Sequence, residues 1–180
     1  MSFARVRALI VIGVLAVAAV VFVVTALVKD SQGGEIDGDG CPDGFVRANI
    51  ALREPKEIKV RIFNATDNDG VGNRVTQDFK NRGFQTQKPE NSKKAVDEVA
   101  VLRFGPKAVG AAHLLKAYFL NDAERQYDAK RTTDVVDVVI GTQFRQLATL
   151  TEVNQSLSSL GEPTPPPGAC PAVEAPAAAR

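Results

Sequence analysis

The sequence predicts an α+β fold: a two-layer βαββαβ sandwich with an extra C-terminal helix, carried on a single N-terminal transmembrane helix. Two patterns support this prediction. An uninterrupted, uncharged apolar run occupies positions 8–28 of the 180-residue chain. Two kinds of segment follow one another beyond it. In one kind, apolar residues alternate with polar ones; in the other, apolar residues recur every three or four positions. These two periods are typical of strands and helices, respectively.

The apolar run has the length and the flanks of a membrane anchor. As a helix, residues 8–28 would be about 31 Å long, close to the roughly 30 Å hydrocarbon core of a bilayer. Arg5 and Arg7 precede the run, whereas acidic residues dominate the segment after it. This bias predicts that residues 1–7 are cytoplasmic and that the rest of the chain is extracytoplasmic. A cleaved signal peptide and a buried core helix remain as alternatives, although the run is longer than the usual apolar region of a signal peptide.

Composition excludes some functions and sets the domain organisation. The net charge is +1, with 22 basic and 21 acidic residues, which argues against a nucleic-acid-binding protein because such proteins concentrate basic charge. We predict a flexible Gly- and Asp-rich linker at 29–44, one extracytoplasmic domain at 45–160, and a Pro/Ala-rich tail at 161–180 that is disordered except where a bond at Cys170 would pin it. A calcium loop in the linker is the alternative, but Val46 stands where a bidentate glutamate would be required.

The two cysteines lie near the ends of the predicted domain. Cys41 follows the linker and Cys170 lies in the tail. An even number of cysteines outside the cytoplasm predicts one disulfide between them. Free thiols remain an alternative. Lipidation of Cys41 is disfavoured because the residue does not directly follow the apolar run.

The elements of the domain follow from periodicity and from glycine or proline at their boundaries. In chain order we predict a short leading strand at 45–52, a strand at 57–64, a helix at 70–82 ended by Gly83, a strand at 84–87, a polar connection at 88–97, a strand at 98–104, a helix at 106–120, an irregular polar stretch at 121–133, a strand at 134–140 and an amphipathic helix over 144–157.

The predicted strands have one apolar face and one charged face. We therefore expect both helices of the βαββαβ unit to pack on the apolar face, while the charged face stays open to solvent or is covered only in part. The apolar face comprises Ile58, Val60, Ile62, Ala100, Leu102, Phe104, Val136, Val138 and Ile140, and the charged face carries Lys59, Arg61, Arg103 and Asp137.

Two surfaces are candidate binding sites. The first is the charged sheet face. The second is the loop of residues 64–73, because free backbone N–H groups at the start of the following helix favour an anion and two glycines permit its close approach. Ordinary turn and capping chemistry is the alternative explanation of this loop. The candidate binding residues are Lys59, Arg61 and Arg103 on the face, and Asn64, Asp69, Gly70, Gly72 and Arg74 on the loop.

The sequence predicts no catalytic residues, no metal site and no cofactor. His113, the one histidine, has no Ser-x-Gly nucleophile motif to accompany it and no second histidine with which to bind a metal. We expect it on the surface or at the boundary of the second helix. Nothing in the sequence fixes two carboxylates across a cleft, as glycoside cleavage requires.

An ordered series of short motifs resembles the LytR C-terminal domain family. The resemblance covers about residues 57 to 145. In many LytR-CpsA-Psr proteins this domain follows a phosphotransferase domain that attaches glycopolymers to peptidoglycan, and no such catalytic domain fits in this chain. The motifs are VRIFNAT at 60–66, RGF at 82–84, RFG at 103–105 and DVVIG at 137–141.

The resemblance implies a location and a process. The layout of one anchor, one such domain and a bracketing cysteine pair is similar to that of stand-alone actinobacterial members of the family that serve cell envelope integrity. It implies a non-enzymatic, membrane-anchored binding or scaffolding protein. A cell-wall glycopolymer, another envelope protein or a lipid stays open as its partner. The alternative is an enzyme, or a phosphotransferase accessory subunit, acting on the attachment of cell-wall glycopolymers.

Overall fold

The computed structural model describes residues 41–172, together with Gly13 and Ala19, both of which are helical. The chain divides into a unit of residues 1–40 and a unit of residues 41–180. Apart from those two positions, the predicted cytoplasmic segment, the transmembrane helix 8–28 and the linker up to residue 40 lie outside the described residues. Among the residues that are described, no helix combines the length and the apolar character needed to cross a membrane.

The described part of the second unit contains strands, α-helices and two single 3-10 turns. In chain order these are β1 (Val46–Ala48), a 3-10 turn (Pro55–Glu57), β2 (Lys59–Asn64), α1 (Val71–Asn81), β3 (Gln85–Thr86), β4 (Glu90–Asn91), β5 (Ala100–Phe104), a 3-10 turn (Pro106–Ala108), α2 (Val109–Ala117), β6 (Glu124–Tyr127), β7 (Val135–Ile140), α3 (Leu150–Leu160) and β8 (Ala169–Pro171).

The main sheet is mixed and has the order β3-β2-β7-β5-β6, with the short β4 also paired to β2. Strand β2 runs parallel to β3, β4 and β7, and β5 runs parallel to β6. Only the central pair of β5 and β7 is antiparallel within this described sheet. The predicted α+β class is confirmed, and each of the four predicted strands of the βαββαβ unit contributes to the sheet.

The core lies between one face of the sheet and the helices. Val75 and Phe79 of α1 and Leu115 of α2 are fully buried, and they belong to the same cluster as the apolar face of the strands. The predicted apolar strand face is confirmed in full, because each of its nine members is buried in that cluster. The helices therefore cover one face of the sheet, as the strand pattern predicts.

Helix α1 ends at the glycine that the sequence marks as its stop. Gly83 adopts φ +90°, a left-handed conformation that favours glycine. Its N–H donates to the Lys80 carbonyl and the Phe84 N–H donates to the Phe79 carbonyl, which is a Schellman motif. The turn also brings the rings of Phe79 and Phe84 to 5.1 Å between centroids. One local signal thus ends the helix and completes part of the core.

The C-terminal helix begins later than its apolar pattern predicts. The prediction placed it over 144–157, whereas α3 begins at Leu150, after an N-cap at Thr149. The Thr149 side chain accepts a hydrogen bond from the Glu152 N–H, and the Glu152 carboxylate accepts one from the Thr149 N–H. This capping box sets the start of the helix. Leu150, which the apolar stripe predicts to be buried, is 65% exposed in the first turn.

Three strands lie in segments for which no regular structure is predicted. The short β4 lies within the connection 88–97, β6 lies within 121–133, and β8 lies in the tail that was predicted to be disordered. The prediction of disorder is wrong for residues 161–172. Low apolar content prevents this segment from forming a core of its own, but β8 pairs in parallel with β1, and Ala169 packs on the main core. Contacts with the rest of the domain order the segment.

The predicted disulfide is confirmed. Cys41 and Cys170 are bonded, with their Cα atoms 5.7 Å apart and 129 positions apart in the sequence. Cys170 is buried and lies in β8. The bond therefore closes the described domain at both ends and fixes β8 beside the start of the domain.

Candidate functional site

The charged sheet face is organised around one row of residues that crosses the sheet. Arg61 of β2 is the register partner of Asp137 in β7, and Asp137 is the partner of Arg103 in β5. The row continues from Arg103 to Gln126 in β6. Because register partners in a sheet point to the same face, the tertiary structure places a carboxylate between two arginines that are distant in sequence.

Asp137 is the buried centre of this row. Its side chain is 8% exposed, and it accepts hydrogen bonds from Arg61 Nε at 3.0 Å and Arg61 Nη2 at 3.1 Å. Arg131 Nη1 donates to the same carboxylate at 2.8 Å. Burial alone would raise the pKa of Asp137, but the hydrogen bonds from Arg131 and Arg61 outweigh it and hold the pKa below its usual value. The carboxylate is therefore charged at neutral pH.

Arg131 completes this cluster, although the sequence analysis did not single it out. It lies in the polar stretch after β6, and its Nη2 also donates to the Val135 carbonyl at 3.1 Å. Two guanidinium groups thus share one buried carboxylate. The cluster of Arg61, Asp137 and Arg131 has a net charge of +1, which the exposed Glu90 carboxylate, 3.8 Å from Arg61, partly offsets. No periodic pattern marks Arg131, because it reaches the sheet from a loop.

The other predicted cations of the face differ in their partners. Lys59 forms an ion pair with Asp134 at 2.9 Å, and both side chains are partly exposed. The hydrogen bond from Lys59 lowers the pKa of Asp134. Arg103 donates through Nε to Gln126 at 3.1 Å, and within the described residues it has no carboxylate partner. Arg103 is exposed and is therefore the cation of this row most open to a ligand.

One end of the same face is covered, which confirms the expectation of partial cover. Ala65, Val101 and Val139 are buried there, and Phe63 and Val96 pack against them. Val96 lies in the connection that precedes β5, and its N–H donates to the Ala65 carbonyl at 3.3 Å. The connection crosses the apolar end and leaves the row of Arg61, Asp137 and Arg103 at the edge of the covered area.

The second candidate surface, the loop of residues 64–73, is organised by Asn64. The Asn64 side chain donates to the Asn68 carbonyl at 2.9 Å and accepts from the Thr66 N–H and hydroxyl at 3.1 and 2.8 Å. The residue is buried and its polar atoms are used within the loop. The structure therefore gives Asn64 a role in shaping the loop, as the alternative explanation proposed.

The start of α1 lies beside a shallow cleft of about 260 Å³. Gly70 is the N-cap at φ +78°, and no side chain caps the helix. The cleft brings Gly70 and Gly72 together with Lys88, Pro89 and Glu90, whereas Asp69 and Arg74 do not line it. Both of these charged residues are exposed. Both predicted glycines therefore line one cleft, together with Lys88, which the sequence analysis did not indicate. The predicted residues Asp69 and Arg74 lie outside this cleft.

His113 is buried, and the prediction of a surface or boundary position is wrong. The residue is 4% exposed in α2, and its Nε2–H donates to the Gly161 carbonyl at 3.0 Å. Burial and the nearby positive charges of Arg125 and Lys116 lower its pKa, against the opposing effect of the hydrogen bond. The segment that follows α3 covers the imidazole and supplies its hydrogen-bond acceptor, Gly161. Helix periodicity alone does not predict this contact.

Comparison with known proteins agrees with this architecture. Residues 57–144 match the sequence profile of the family LytR_C, described as LytR cell envelope-related transcriptional attenuator. These residues form a LytR_C domain. They comprise the main sheet from β2 to β7 with helices α1 and α2, so β1, α3 and β8 are additions outside the matched region.

A solved structure has a similar fold. The chain is similar to the soluble domain of a conserved hypothetical secreted protein, an Rv2700 ortholog from Mycobacterium marinum, with 27% sequence identity and a TM-score of 0.52. The similarity covers 66% of this chain and 82% of that one. No curated protein sequence gives a significant match.

Proposed function

We propose that this LytR_C protein is an extracytoplasmic binding module of the cell envelope, anchored in the membrane by residues 8–28, and that it acts by holding a partner rather than by turning over a substrate. The cell envelope-related family description and the secreted neighbour support the location. The Cys41–Cys170 disulfide supports it independently, because structural disulfides persist in oxidising compartments.

The observation that carries the binding role is the cluster of Arg61, Asp137 and Arg131. A buried carboxylate holds two guanidinium groups by charge-assisted hydrogen bonds of 2.8 to 3.1 Å, so their positions are fixed before any partner arrives. Arg103, in the same row as Arg61 and Asp137, adds a third guanidinium to this face without a carboxylate of its own among the described residues. Fixed cations lose little conformational entropy on binding, which favours an anionic partner at this face.

Two kinds of envelope molecule could be this anionic partner. A glycopolymer with phosphate or carboxylate groups would meet the arginines along the row, and an acidic surface of another envelope protein would do the same. Both partners would lose affinity when the charge at Arg103 is removed.

The test is removal of the charge at the exposed arginine. Arg103→Gln should leave the fold intact, since exposed substitutions change stability by less than about 0.5 kcal/mol, but it should impair rescue of envelope resistance in a deletion strain. The matched control is Arg145→Gln, another exposed arginine, in the loop before α3. Arg61→Glu and Arg103→Glu are unsuitable because each would place a second carboxylate beside the buried Asp137. Full rescue by Arg103→Gln would exclude this face as the binding site.

Two further measurements test the rest of the proposal. Protease added outside cells whose wall has been removed should digest the chain from about Lys29 onward, and a mature protein that starts beyond Val28 would contradict the anchor. Hydrolysis or transfer of an envelope polymer by the purified protein, abolished by a point mutation in this chain, would contradict the non-enzymatic role.

A further inference from the structure

A cleft lies at the edge of the sheet on the helix-covered side, away from the charged face. Arg125 and Tyr127 of β6 are register partners of Leu102 and Phe104 in β5, so they point to the same side as the core. The proline-rich segment Thr164–Pro167 forms the opposite wall. Together with Phe104, these residues enclose about 310 Å³, at the lower end of the range for small-molecule sites.

Arg125 is a cation without a counterion in this cleft. Its guanidinium carbon lies 5.2 Å from the centre of the Phe104 ring, and its Nε is buried without a hydrogen-bond partner. Within the described residues no carboxylate pairs with it. Arg125 as a whole is half-buried, so its charge loses part of its hydration without gaining a carboxylate, which is costly, and the contact with an aromatic face offsets only part of that cost. A ligand with a negative charge would remove the deficit.

The Tyr127 hydroxyl is a second polar atom without a hydrogen-bond partner in the same cleft. It is buried and makes no hydrogen bond, while the tyrosine ring packs 5.8 Å from that of Phe104. Buried polar atoms in proteins are normally hydrogen-bonded. Because Arg125 and Tyr127 are two positions apart on one strand, their side chains point to the same face of the sheet. Both of them line this cleft.

The charges near the cleft are mainly positive. Arg125 and Lys116 both contribute to the lowered pKa of His113, whose main cause is burial, so the three basic groups lie near one another. The charge of Asp128 acts on Tyr127 and, after burial, is the second cause of the raised pKa of the phenol. Asp128 is exposed, accepts a hydrogen bond from the Lys130 N–H, and forms no ion pair with Arg125 in the described part of the chain.

We propose that this cleft is a binding site for a small organic carboxylate with an apolar or aromatic body. One carboxylate oxygen would accept from the Arg125 guanidinium and the other from the Tyr127 hydroxyl, which satisfies both partnerless groups. The proline rings and Phe104 would enclose the apolar body. A phosphate dianion fits less well, because it offers more acceptor positions than these two donors fill and brings no apolar group. This site is separate from the sheet face and does not depend on the proposed function.

The test is binding of benzoate to the purified full chain, followed by calorimetry and by amide chemical shifts. A ligand of this size should bind with a Kd on the order of millimolar. We expect shift changes at Arg125, Tyr127 and Thr164, binding at least about tenfold weaker in Arg125→Gln, and several-fold weaker in Tyr127→Phe. The matched control is Arg145→Gln, an exposed arginine in the loop before α3 that lies in neither proposed site, which should bind benzoate as the unmodified protein does.

Uncharged and phosphate probes separate the alternatives. Benzyl alcohol and inorganic phosphate should each bind more weakly than benzoate. Equal binding of benzyl alcohol would show that the cleft recognises only the ring, and tighter binding of phosphate would assign the site to another anion; either result overturns the proposal. Absence of saturable benzoate binding, or equal binding by Tyr127→Phe, overturns it as well. Tyr127→Phe keeps the test decisive if Arg125→Gln does not fold, because it removes only a hydroxyl that has no partner.

Discussion

Asp137→Asn tests whether the charged cluster of Arg61, Asp137 and Arg131 is a structural element of the sheet. The substitution preserves the shape of the side chain and removes the charge that two arginines share. Breaking a buried ion pair by neutralising one partner costs about 3–5 kcal/mol. Arg61 is 34% exposed and lies 3.8 Å from Glu90, so solvent and this second carboxylate compensate part of the loss. We expect the free energy of unfolding to fall by about 2–4 kcal/mol.

The matched control is Asp134→Asn, which removes the carboxylate of an exposed ion pair just before the same strand. The side chains of Lys59 and Asp134 are 43% and 45% exposed, and exposed pairs contribute less than about 1 kcal/mol. Equilibrium urea unfolding of the two variants and of the unmodified protein gives the comparison. Equal losses in the two variants, or a loss below about 1 kcal/mol for Asp137→Asn, would refute the assignment of Asp137 as the centre of the face.

The same variant makes a prediction about pH. Because the pKa of Asp137 in the folded protein lies below its unfolded value of about 3.9, its contribution to stability is complete above that value. It is lost as the pH falls through the lower folded pKa. The unmodified protein should therefore lose stability below about pH 4 more steeply than Asp137→Asn. Parallel stability curves for the two proteins in this range would contradict the lowered pKa.

Three other predictions follow from local contacts. Cys170→Ser removes the bond that spans 129 positions and should lower the free energy of unfolding by about 2–5 kcal/mol without loss of native circular dichroism; an unchanged denaturation midpoint would contradict it. Gly110→Ala would place a methyl group on the carbonyl oxygen of Ala51 and should cost about 3 kcal/mol, whereas Gly72→Ala, with its nearest atom at 3.4 Å, should stay within about 1 kcal/mol. Burial lowers the pKa of His113, so an NMR titration should find that pKa below about 6.5. As the pH falls from the unfolded pKa through the folded pKa, the unmodified protein should lose more stability than His113→Gln. A pKa at or above 6.5 would show that the ring is not buried in its neutral form.

Local rules predicted the elements that carry their own signal. Strand β2 alternates from Lys59 to Ile62, and its core-facing members Val60 and Ile62 are fully buried. Helix α1 has both its apolar stripe and its terminal glycine, and its bounds differ from the prediction by one residue at each end. The start of α3 was misplaced because the apolar stripe was given more weight than the Thr149–Glu152 capping box, which is also present in the sequence. There the error was in interpretation, and the signal was available.

Elements that depend on a partner were not predictable from their own residues. Strand β6 is polar because it lies at the edge of the sheet, and β8 exists because β1 pairs with it. Neither segment has an apolar pattern of its own, since the strand or helix beside it provides the cover. The burial of His113 has the same origin, because its cover comes from residues more than 40 positions away.

The sequence by itself determined the α+β class, the apolar face of the sheet, the disulfide partners and the set of cations on the opposite face, since each of these follows from side-chain type and local period. Only the tertiary structure decided which of those cations are neutralised. Register places Asp137 between Arg61 and Arg103, a loop brings in Arg131, and β6 leaves Arg125 without a counterion among the described residues. The physical reason is that the energy of a charge depends on distances to groups remote in sequence and on burial, and the fold sets both.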